Sequence, residues 1–210
     1  GLTETNGAIT FLYPEDHDIS KGKLRSCGKA GKDVGLRVVD SDDNDVPVGE
    51  VGEVIIKSLN NMKGYWNRPE ATKESIKDGW FYSGDIGYFD DEGFLYIHDR
   101  VKDMIVSGGE NVYPAEVESA IFSHEMVSDV AVIGVPDERW GEAVKALVVL
   151  KENCETTEED IINFAREKIA GFKTPKSVDF IKELPRNPSG KILKKELRKP
   201  YWEGFDRAIN

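Results

Sequence analysis

The sequence predicts an α+β fold in two parts, a β-rich part over residues 1–100 and a small α+β part over residues 101–210. Three features predict it: hairpin-like alternation before position 100, buried strands mixed with amphipathic helices after it, and a change of pattern near Val101. Because 39% of the residues are apolar and 10% aromatic, a chain of 210 residues can build two hydrophobic cores.

The first predicted hairpin spans residues 36–57. β-branched residues alternate there on either side of a turn rich in Asp and Asn, which is typical of two strands joined by a loop. Gly49 and Gly52 lie where the second strand would begin. Isolated glycines in a strand pattern suggest bulges or sharp bends, so we expect irregular pairing there.

A second hairpin is predicted by the strands DIGYF and FLYIH, which flank the turn DDEG. With the turn centred on the middle of those four residues, Asp85 lies opposite His98 and diagonal to Arg100. Asp85 and Arg100 should therefore lie within reach of one small ligand.

The second part begins with a helix and two buried strands. Pro114 is a favoured first helical residue, and Val117 and Ile121 lie four residues apart on one face. The apolar density of Val127–Val135 and Ala143–Leu150 predicts two buried strands.

A second helix and a third strand follow. Thr156 and Glu159 form a capping-box pattern, and we expect the helix to end at Gly171. Three apolar residues spaced four apart share one face of this helix: Ile161, Ala165 and Ile169. The segment Ser177–Leu184 then predicts the third strand.

Lys191 lies at a predicted junction between a loop and a helix. Pro188 and Gly190 indicate a turn directly before it, and the spacing of Leu193 and Leu197 indicates one face of a helix after it. A lysine at such a junction can have an ammonium group that is both exposed and mobile.

The charge distribution is uneven. The net charge of −11 argues against nucleic acid as a partner, because binding to phosphates needs a basic surface. The stretch Lys182–Lys199 nevertheless carries seven Lys or Arg against Glu183 and Glu196, a net charge of +5. This stretch is either a solvated helix face or an anion site.

Two cysteines, Cys27 and Cys154, lie far apart without metal-ligand spacing, which predicts neither a disulfide framework nor a zinc site. A reducing cytoplasmic location fits this cysteine content. The sequence has no apolar run of membrane-spanning length and no signal-peptide pattern at its start, while contact with a membrane surface stays open.

Three motifs appear in a characteristic order: GLTET, then GWFYSGDIGYFDDEGFLYIHDRVKDMIVSGGENVYPAEVE, then PRNPSGKILKKEL. In this order the chain resembles the adenylate-forming superfamily, which includes acyl-CoA synthetases, luciferases and peptide-synthetase adenylation domains. The resemblance implies that residues 1–100 are the C-terminal portion of a large adenylating domain and that residues 101–210 are its small, mobile lid domain. It also implies a two-step reaction, in which a carboxylate attacks ATP to give an acyl-adenylate and a thiol then takes the acyl group and releases AMP.

The resemblance implies roles for five residues, each chemically suited to its role. Asp85 would hold the ribose hydroxyls, since an ionised carboxylate offers two acceptor oxygens to two O–H donors, and Arg100 would contact the ribose or phosphate. Thr3 would contact phosphate, and Glu4 would help to hold Mg²⁺. Lys191 would bridge the α-phosphate and the attacking carboxylate. Taken alone, Asp85 could instead cap its own turn, the Thr-Glu pair could cap a helix, and Lys191 could be a surface lysine.

Further residues match the thiol-transfer step of the family. Lys102 matches the hinge about which the lid domain rotates between two poses. Gly108 and Gly109 would leave room for the pantetheine arm of coenzyme A, unless they simply form a turn. Trp140 is expected to be exposed and could pack on the large domain or on the nucleotide of coenzyme A. Glu116 is expected to be a helix-surface or salt-bridge residue.

The glycine-rich, Ser/Thr-rich phosphate loop of the family has no counterpart in this sequence. We therefore expect the chain to be the last part of a longer protein and to be inactive alone. The first hypothesis is an AMP-forming ligase of medium or long-chain fatty acids that uses ATP, Mg²⁺ and coenzyme A. The alternatives are an aromatic-acid–CoA ligase, a peptide-synthetase module, disfavoured because no carrier domain follows the lysine motif, and a non-catalytic lid that binds a nucleotide or a partner.

Overall fold

The computed structural model describes residues 1–205 and divides the chain into two compact units, Gly1–Val101 and a second unit that begins at Lys102. The division falls one residue beyond the expected end of the β-rich part. Each unit has its own hydrophobic core.

The first unit is an antiparallel β structure with one short helix, α1 (Pro69–Ser75). Its strands are β1 (Thr10–Phe11), β2 (Lys29–Ala30), β3 (Gly35–Val39), β4 (Gly52–Lys57), β5 (Ile76–Lys77), β6 (Trp80–Phe89) and β7 (Leu95–Arg100). The main sheet has the order β3-β4-β6-β5, with β7 also paired to β6, and β1 and β2 form a separate ribbon.

The predicted first hairpin is confirmed as β3 and β4, which pair from Gly35 opposite Lys57 to Val39 opposite Glu53. The expected irregularity is also present, because the pairing of β4 with β6 shifts register just after Glu53. Gly52 is needed at this place, since a Cβ there would lie 2.4 Å from the carbonyl oxygen of Val39.

The predicted register of the second hairpin is wrong. Asp85 lies directly opposite Arg100 rather than opposite His98. Next to the turn the strands pair Phe89 with Leu95, one position away from the predicted pairing. The prediction that Asp85 and Arg100 come together is nevertheless confirmed, and the two residues are closer than the predicted diagonal.

Two local features explain the register. At the turn, the Asp90 carboxylate accepts the backbone N–H of Phe94 at 2.9 Å, and the backbone N–H of Asp90 donates to the Phe94 carbonyl, which leaves three residues in the loop instead of an even number. Further along, a bulge between Ile86 and Gly87 moves the pairing by one more residue. An alternation pattern of apolar and polar residues predicts neither of these features, the capping side chain or the bulge.

The second unit packs helices on both faces of a mixed sheet. Its helices are α2 (Pro114–Phe122), α3 (Glu158–Arg166) and α4 (Lys194–Trp202). Its strands are β8 (Ile105–Ser107), β9 (Glu110–Val112), β10 (Val127–Asp137), β11 (Gly141–Leu150) and β12 (Ser177–Phe180). Strand β11 is central, because it pairs antiparallel with β10 and β8 and parallel with β12.

Strand β10 shows why consecutive apolar residues occur in these strands. Val130 and Val132 point into the cluster formed with α2 and α3. Ala131 and Ile133 point into the opposite cluster, against which Leu197 of α4 packs. The predicted strands and the predicted helix after Lys191 are thus confirmed, and the sheet is buried on both faces.

The predicted capping box of α3 is wrong by one residue. Thr157, not Thr156, is the N-cap: its hydroxyl accepts the N–H of Asp160, whose carboxylate accepts the N–H of Thr157. Either threonine satisfies the sequence rule, but this choice lets the Glu158 carboxylate accept the N–H of Val178 at 2.8 Å and tie α3 to β12. The helix ends at Arg166, five residues before the predicted end.

Candidate nucleotide and thiol sites

Within β6, residues 83–85 interrupt the regular pairing with β4 and form a sharp local turn, which β4 holds at two points. The Ser83 hydroxyl donates to the Val54 carbonyl at 2.6 Å and accepts the backbone N–H of Asp85 at 3.0 Å. Gly84 has φ +69°, a conformation that disfavours residues with a side chain, and its N–H donates to the Glu53 carboxylate at 2.9 Å. These bonds fix the backbone from which the Asp85 side chain projects.

Asp85 and Arg100 form an ion pair across the β6–β7 hairpin. Arg100 Nε lies 3.0 Å from Asp85 Oδ1, and the Asp85 side chain is 16% exposed while that of Arg100 is 45% exposed. An arginine beside a carboxylate favours its ionised form, which accepts hydrogen bonds and cannot donate them. The arrangement is therefore suited to hydroxyl donors such as those of a ribose.

Glu53 is a site residue that sequence reasoning missed. Burial raises the pKa of the Glu53 carboxyl above its ordinary value, the Gly84 N–H and the Lys77 ammonium lower it, and the carboxylates of Asp43 and Asp85 raise it. The sequence did contain a signal for it: Glu53 directly precedes a buried apolar run, where a charge without a partner would be costly in free energy. Such a residue is expected to have a specific hydrogen-bond partner.

Thr3 and Glu4 lie in a single 3₁₀ turn, Thr3–Thr5. Thr3 is exposed, and Glu4 is half-buried with its carboxylate accepting the Tyr65 hydroxyl at 3.0 Å. The backbone carbonyl of Glu4 also accepts the N–H of Met62 at 2.7 Å. The helix-cap interpretation does not apply to Thr3, because the hydroxyl that bonds to the start of the turn belongs to the buried Thr5.

Tyr65 was also missed by sequence reasoning, because it lies 61 residues from Glu4 in the chain. Burial raises the pKa of the Tyr65 hydroxyl, and its hydrogen bond to Glu4 raises it further. Within residues 1–205, no three His, Cys, Asp or Glu residues are grouped so that they could hold a metal ion. A carboxylate such as that of Glu4 is the kind of oxygen ligand that Mg²⁺ prefers, and its use as a metal ligand stays a prediction.

Gly108 and Gly109 form the two-residue turn between β8 and β9, with φ +62° and +87°. Trp140 lies directly beside them: a Cβ on Gly108 would be 2.6 Å from its ring, and the Gly108 N–H donates to its carbonyl at 2.9 Å. The Trp140 ring is 38% exposed, in agreement with the expected exposure, and borders a groove of about 600 Å³. The glycine pair thus serves as a turn and also makes room for an indole ring.

The loop that carries Lys191 is shaped by Asn187. The Asn187 side chain accepts the N–H groups of Ser189 and Lys191 at 3.0 and 2.9 Å. Arg186 closes the loop from the other side by donating to the Gly190 carbonyl at 2.7 Å. Lys191 itself is exposed, and its ammonium group has no hydrogen bond or ion pair with any residue in the described range 1–205.

The basic stretch around Lys191 is partly neutralised. Three of its seven bases pair with acids: Arg186 with Asp129, Lys194 with Glu118, and Arg198 with Asp103. The side chains of Lys194 and Arg198 are only 15% and 10% exposed. A solvated helix face therefore describes these two residues poorly, since they attach α4 to the rest of the unit.

Lys102 lies in a 3₁₀ turn, Val101–Asp103, and is the first residue of the second unit. Glu116 pairs with Lys173, with Nζ to Oε2 at 2.7 Å, which confirms its expected role as a salt-bridge residue.

Cys27 and Cys154 are both free cysteines. Among the helices of residues 1–205, none has the length and apolar character needed to cross a membrane.

Comparisons with known proteins agree with these motifs. The family model described as AMP-binding enzyme matches residues 1–66, and the model described as AMP-binding enzyme C-terminal domain matches residues 116–191. The chain is 51% identical over 205 residues to the long-chain-fatty-acid–CoA ligase FadD13 of Mycobacterium tuberculosis, covering 95% of this chain and 39% of that protein. It is 45% identical to a 2-succinylbenzoate–CoA ligase of Bacillus thuringiensis, covering 94% of this chain and 40% of the relative.

The chain is also similar in structure to a solved enzyme. The crystal structure of ATP-bound MatB from Rhodopseudomonas palustris matches with a TM-score of 0.87 and 37% identity, covering 99% of this chain and 40% of that one. The chain spans about 40% of the length of these relatives. It belongs to the adenylate-forming superfamily of AMP-binding enzymes.

Proposed function

We propose that this chain is part of an AMP-forming carboxylic acid–CoA ligase, in which an acyl-adenylate forms first and coenzyme A then takes the acyl group. The observation that carries the proposal is the Asp85–Arg100 ion pair across the β6–β7 hairpin, with Arg100 Nε 3.0 Å from Asp85 Oδ1. It supplies an ionised carboxylate with restricted orientation, which is what recognition of two neighbouring ribose hydroxyls requires.

The adenylation step assigns roles to five residues. Asp85 accepts the ribose hydroxyls, and Arg100 pairs with the Asp85 carboxylate and contacts the ribose or phosphate. Thr3 donates to a phosphate oxygen. Mg²⁺, when bound, neutralises phosphate charge, and Glu4 is the residue of this chain that would hold it. The Lys191 ammonium stabilises the negative charge that develops between the α-phosphate and the attacking carboxylate.

The thiol-transfer step assigns roles to residues of the second unit and its first turn. Gly108 and Gly109 leave the backbone open to the pantetheine arm, and Trp140 borders the adjacent groove and is placed to pack on coenzyme A. Lys102 is the hinge. The groove of about 600 Å³ beside Trp140 and Gly109 supports this assignment, because it is concave and next to the turn.

For the carboxylic acid, we favour a medium or long-chain fatty acid, supported by the 51% identity to a long-chain-fatty-acid–CoA ligase. An aromatic acid is the second candidate, because a 2-succinylbenzoate–CoA ligase is 45% identical. Relatives of both classes match nearly the whole chain. A cytoplasmic location and a contact with the membrane surface stay predictions.

The deciding experiment is to measure AMP release by the whole protein with a panel of fatty and aromatic acids, in the presence of ATP, Mg²⁺ and coenzyme A. We expect release with fatty acids and formation of the matching acyl-CoA. Release only with aromatic acids would select the second candidate. ATP binding without AMP release for any acid would instead favour a non-catalytic nucleotide-binding module.

A further inference from the structure

Glu53 is a half-buried carboxylate with no role in the reaction described above. It lies on β4, where its backbone pairs with Val39 on one side and Ile86 on the other. Its side chain reaches along the sheet to the turn that precedes Asp85, and Oε1 accepts the Gly84 N–H at 2.9 Å. The two residues are 31 positions apart in the chain, so the contact depends on the β4–β6 pairing.

A hydrogen bond to the Gly84 N–H can determine the position of the Asp85 carboxylate, because Gly84 directly precedes Asp85. Gly84 has φ +69°, so the chain turns sharply just before the ribose-binding carboxylate. Ser83 holds the same turn to the same strand, β4, through its bond to the Val54 carbonyl, and it also accepts the Asp85 N–H. A hydrogen bond to a carboxylate is about twice as strong as one between neutral groups, so Glu53 provides the stronger of these holds.

The surroundings of Glu53 make a purely structural role a poor explanation. One cation, Lys77, attracts the charge, whereas Asp43 and Asp85 repel it, and burial adds a further cost. A buried carboxylate costs free energy unless hydrogen bonds and opposite charges compensate, and because the pKa of the Glu53 carboxyl is raised overall, the Gly84 N–H and Lys77 compensate only in part. The neighbouring buried positions of β4, Val54 and Ile55, are apolar, as expected of residues that serve only packing.

We propose that Glu53 is a positioning residue for the nucleotide ribose: by holding the Gly84 N–H, it aims the Asp85 carboxylate at the ribose hydroxyls. The inference rests on the proposed function, because it assigns a use to Asp85 that only a nucleotide enzyme has. Glu53 touches neither the nucleotide nor the reacting atoms and acts only through the turn.

The test compares ATP with 3′-deoxy-ATP in the whole protein, measured as KM for the nucleotide in ATP–pyrophosphate exchange. The variants are Glu53→Ala and Glu53→Gln, with Glu50→Ala as the control, since Glu50 is an exposed glutamate in the same β3–β4 connection. We expect Glu53→Ala to raise KM for ATP about tenfold, the effect of one lost hydrogen bond to a charged group. With 3′-deoxy-ATP the increase should fall to about twofold or less, because a hydroxyl that Asp85 holds is already absent.

Glu53→Gln keeps an acceptor oxygen for the Gly84 N–H and should stay within about threefold of the unmodified protein. Glu50→Ala should leave both KM values unchanged. An equal KM increase for both nucleotides in Glu53→Ala would show a general structural defect and overturn the proposal. No increase for either nucleotide would overturn it as well. Thermal unfolding of each variant checks that the fold is kept.

Asp85→Ala separates this inference from the proposed function. If Asp85→Ala abolishes the preference for ATP over 3′-deoxy-ATP but Glu53→Ala does not weaken it, the positioning role of Glu53 is wrong and the ribose site stands. If Asp85→Ala leaves the preference intact, Asp85 does not hold the ribose, and the proposed nucleotide site itself is wrong.

Discussion

Replacing Lys191 with alanine tests the proposed adenylation step most directly. The structure predicts that this change leaves the fold intact, because the ammonium group contacts no described residue and the loop is held by Asn187 through backbone groups. Surface substitutions of this kind usually change the free energy of unfolding by less than about 0.5 kcal/mol. A loss of activity in Lys191→Ala would therefore reflect chemistry rather than unfolding.

The expected size of the loss follows from the bond that the ammonium would make. A hydrogen bond to a charged group contributes about 1.5–3 kcal/mol. If Lys191 makes this bond to the α-phosphate only as charge develops, its removal should slow adenylation by about one to two orders of magnitude. Thiol transfer from a supplied acyl-adenylate should change by less than about twofold, because the charge that Lys191 stabilises is no longer forming.

The assay measures both steps in the whole protein, adenylation by ATP–pyrophosphate exchange and thiol transfer by acyl-CoA formation from a supplied acyl-adenylate. Lys195→Ala is the matched control, since Lys195 is exposed, lies four residues away and carries the same charge. The Lys195→Ala control should keep nearly the full rate of both adenylation and thiol transfer. Equal losses in the two steps for Lys191→Ala, or equal losses in Lys191→Ala and Lys195→Ala, would refute the assigned role.

Three further predictions follow from the same geometry. Lys102→Pro should slow thiol transfer more than pyrophosphate exchange by restricting the hinge, and unchanged thiol transfer would remove Lys102 from that role. Tyr65→Phe removes the hydrogen bond to the Glu4 carboxylate and should raise the Mg²⁺ concentration for half-maximal pyrophosphate exchange about threefold to tenfold; an unchanged Mg²⁺ dependence would contradict this. Gly108→Ala should lower the free energy of unfolding in urea by about 1–3 kcal/mol more than Gly109→Ala, because only the first Cβ meets the neighbouring indole ring. If both glycine substitutions lowered the free energy of unfolding equally, backbone strain alone would account for the loss, and the contact with the indole ring would contribute nothing.

Much of the fold could be predicted from short stretches of sequence. The apolar density of Val127–Val135 predicted a buried strand, and the structure places Val132 and Ile133 of β10 in opposite clusters. Pro114 marked the first residue of α2 correctly. These predictions succeed because apolar periodicity and capping chemistry act within a few residues of the chain.

Predictions that depended on the exact residue position, such as a strand register or a helix cap, were less exact. The hairpin register failed because Asp90 caps its own turn and because a bulge follows Ile86. The capping box failed by one residue because two adjacent threonines satisfy the same rule, and the contact of Glu158 with β12 decided between them.

The sequence by itself determined the two-part α+β organisation, the order of the elements and the motifs that identify the superfamily. Each of these features depends on residues that are close together in the chain. Only the tertiary structure decided which partners the functional side chains meet. Glu53 reaches the turn before Asp85 from 31 residues away, and Tyr65 reaches Glu4 from 61 residues away. Such contacts depend on how distant segments pair and pack, and a local pattern carries no information about that.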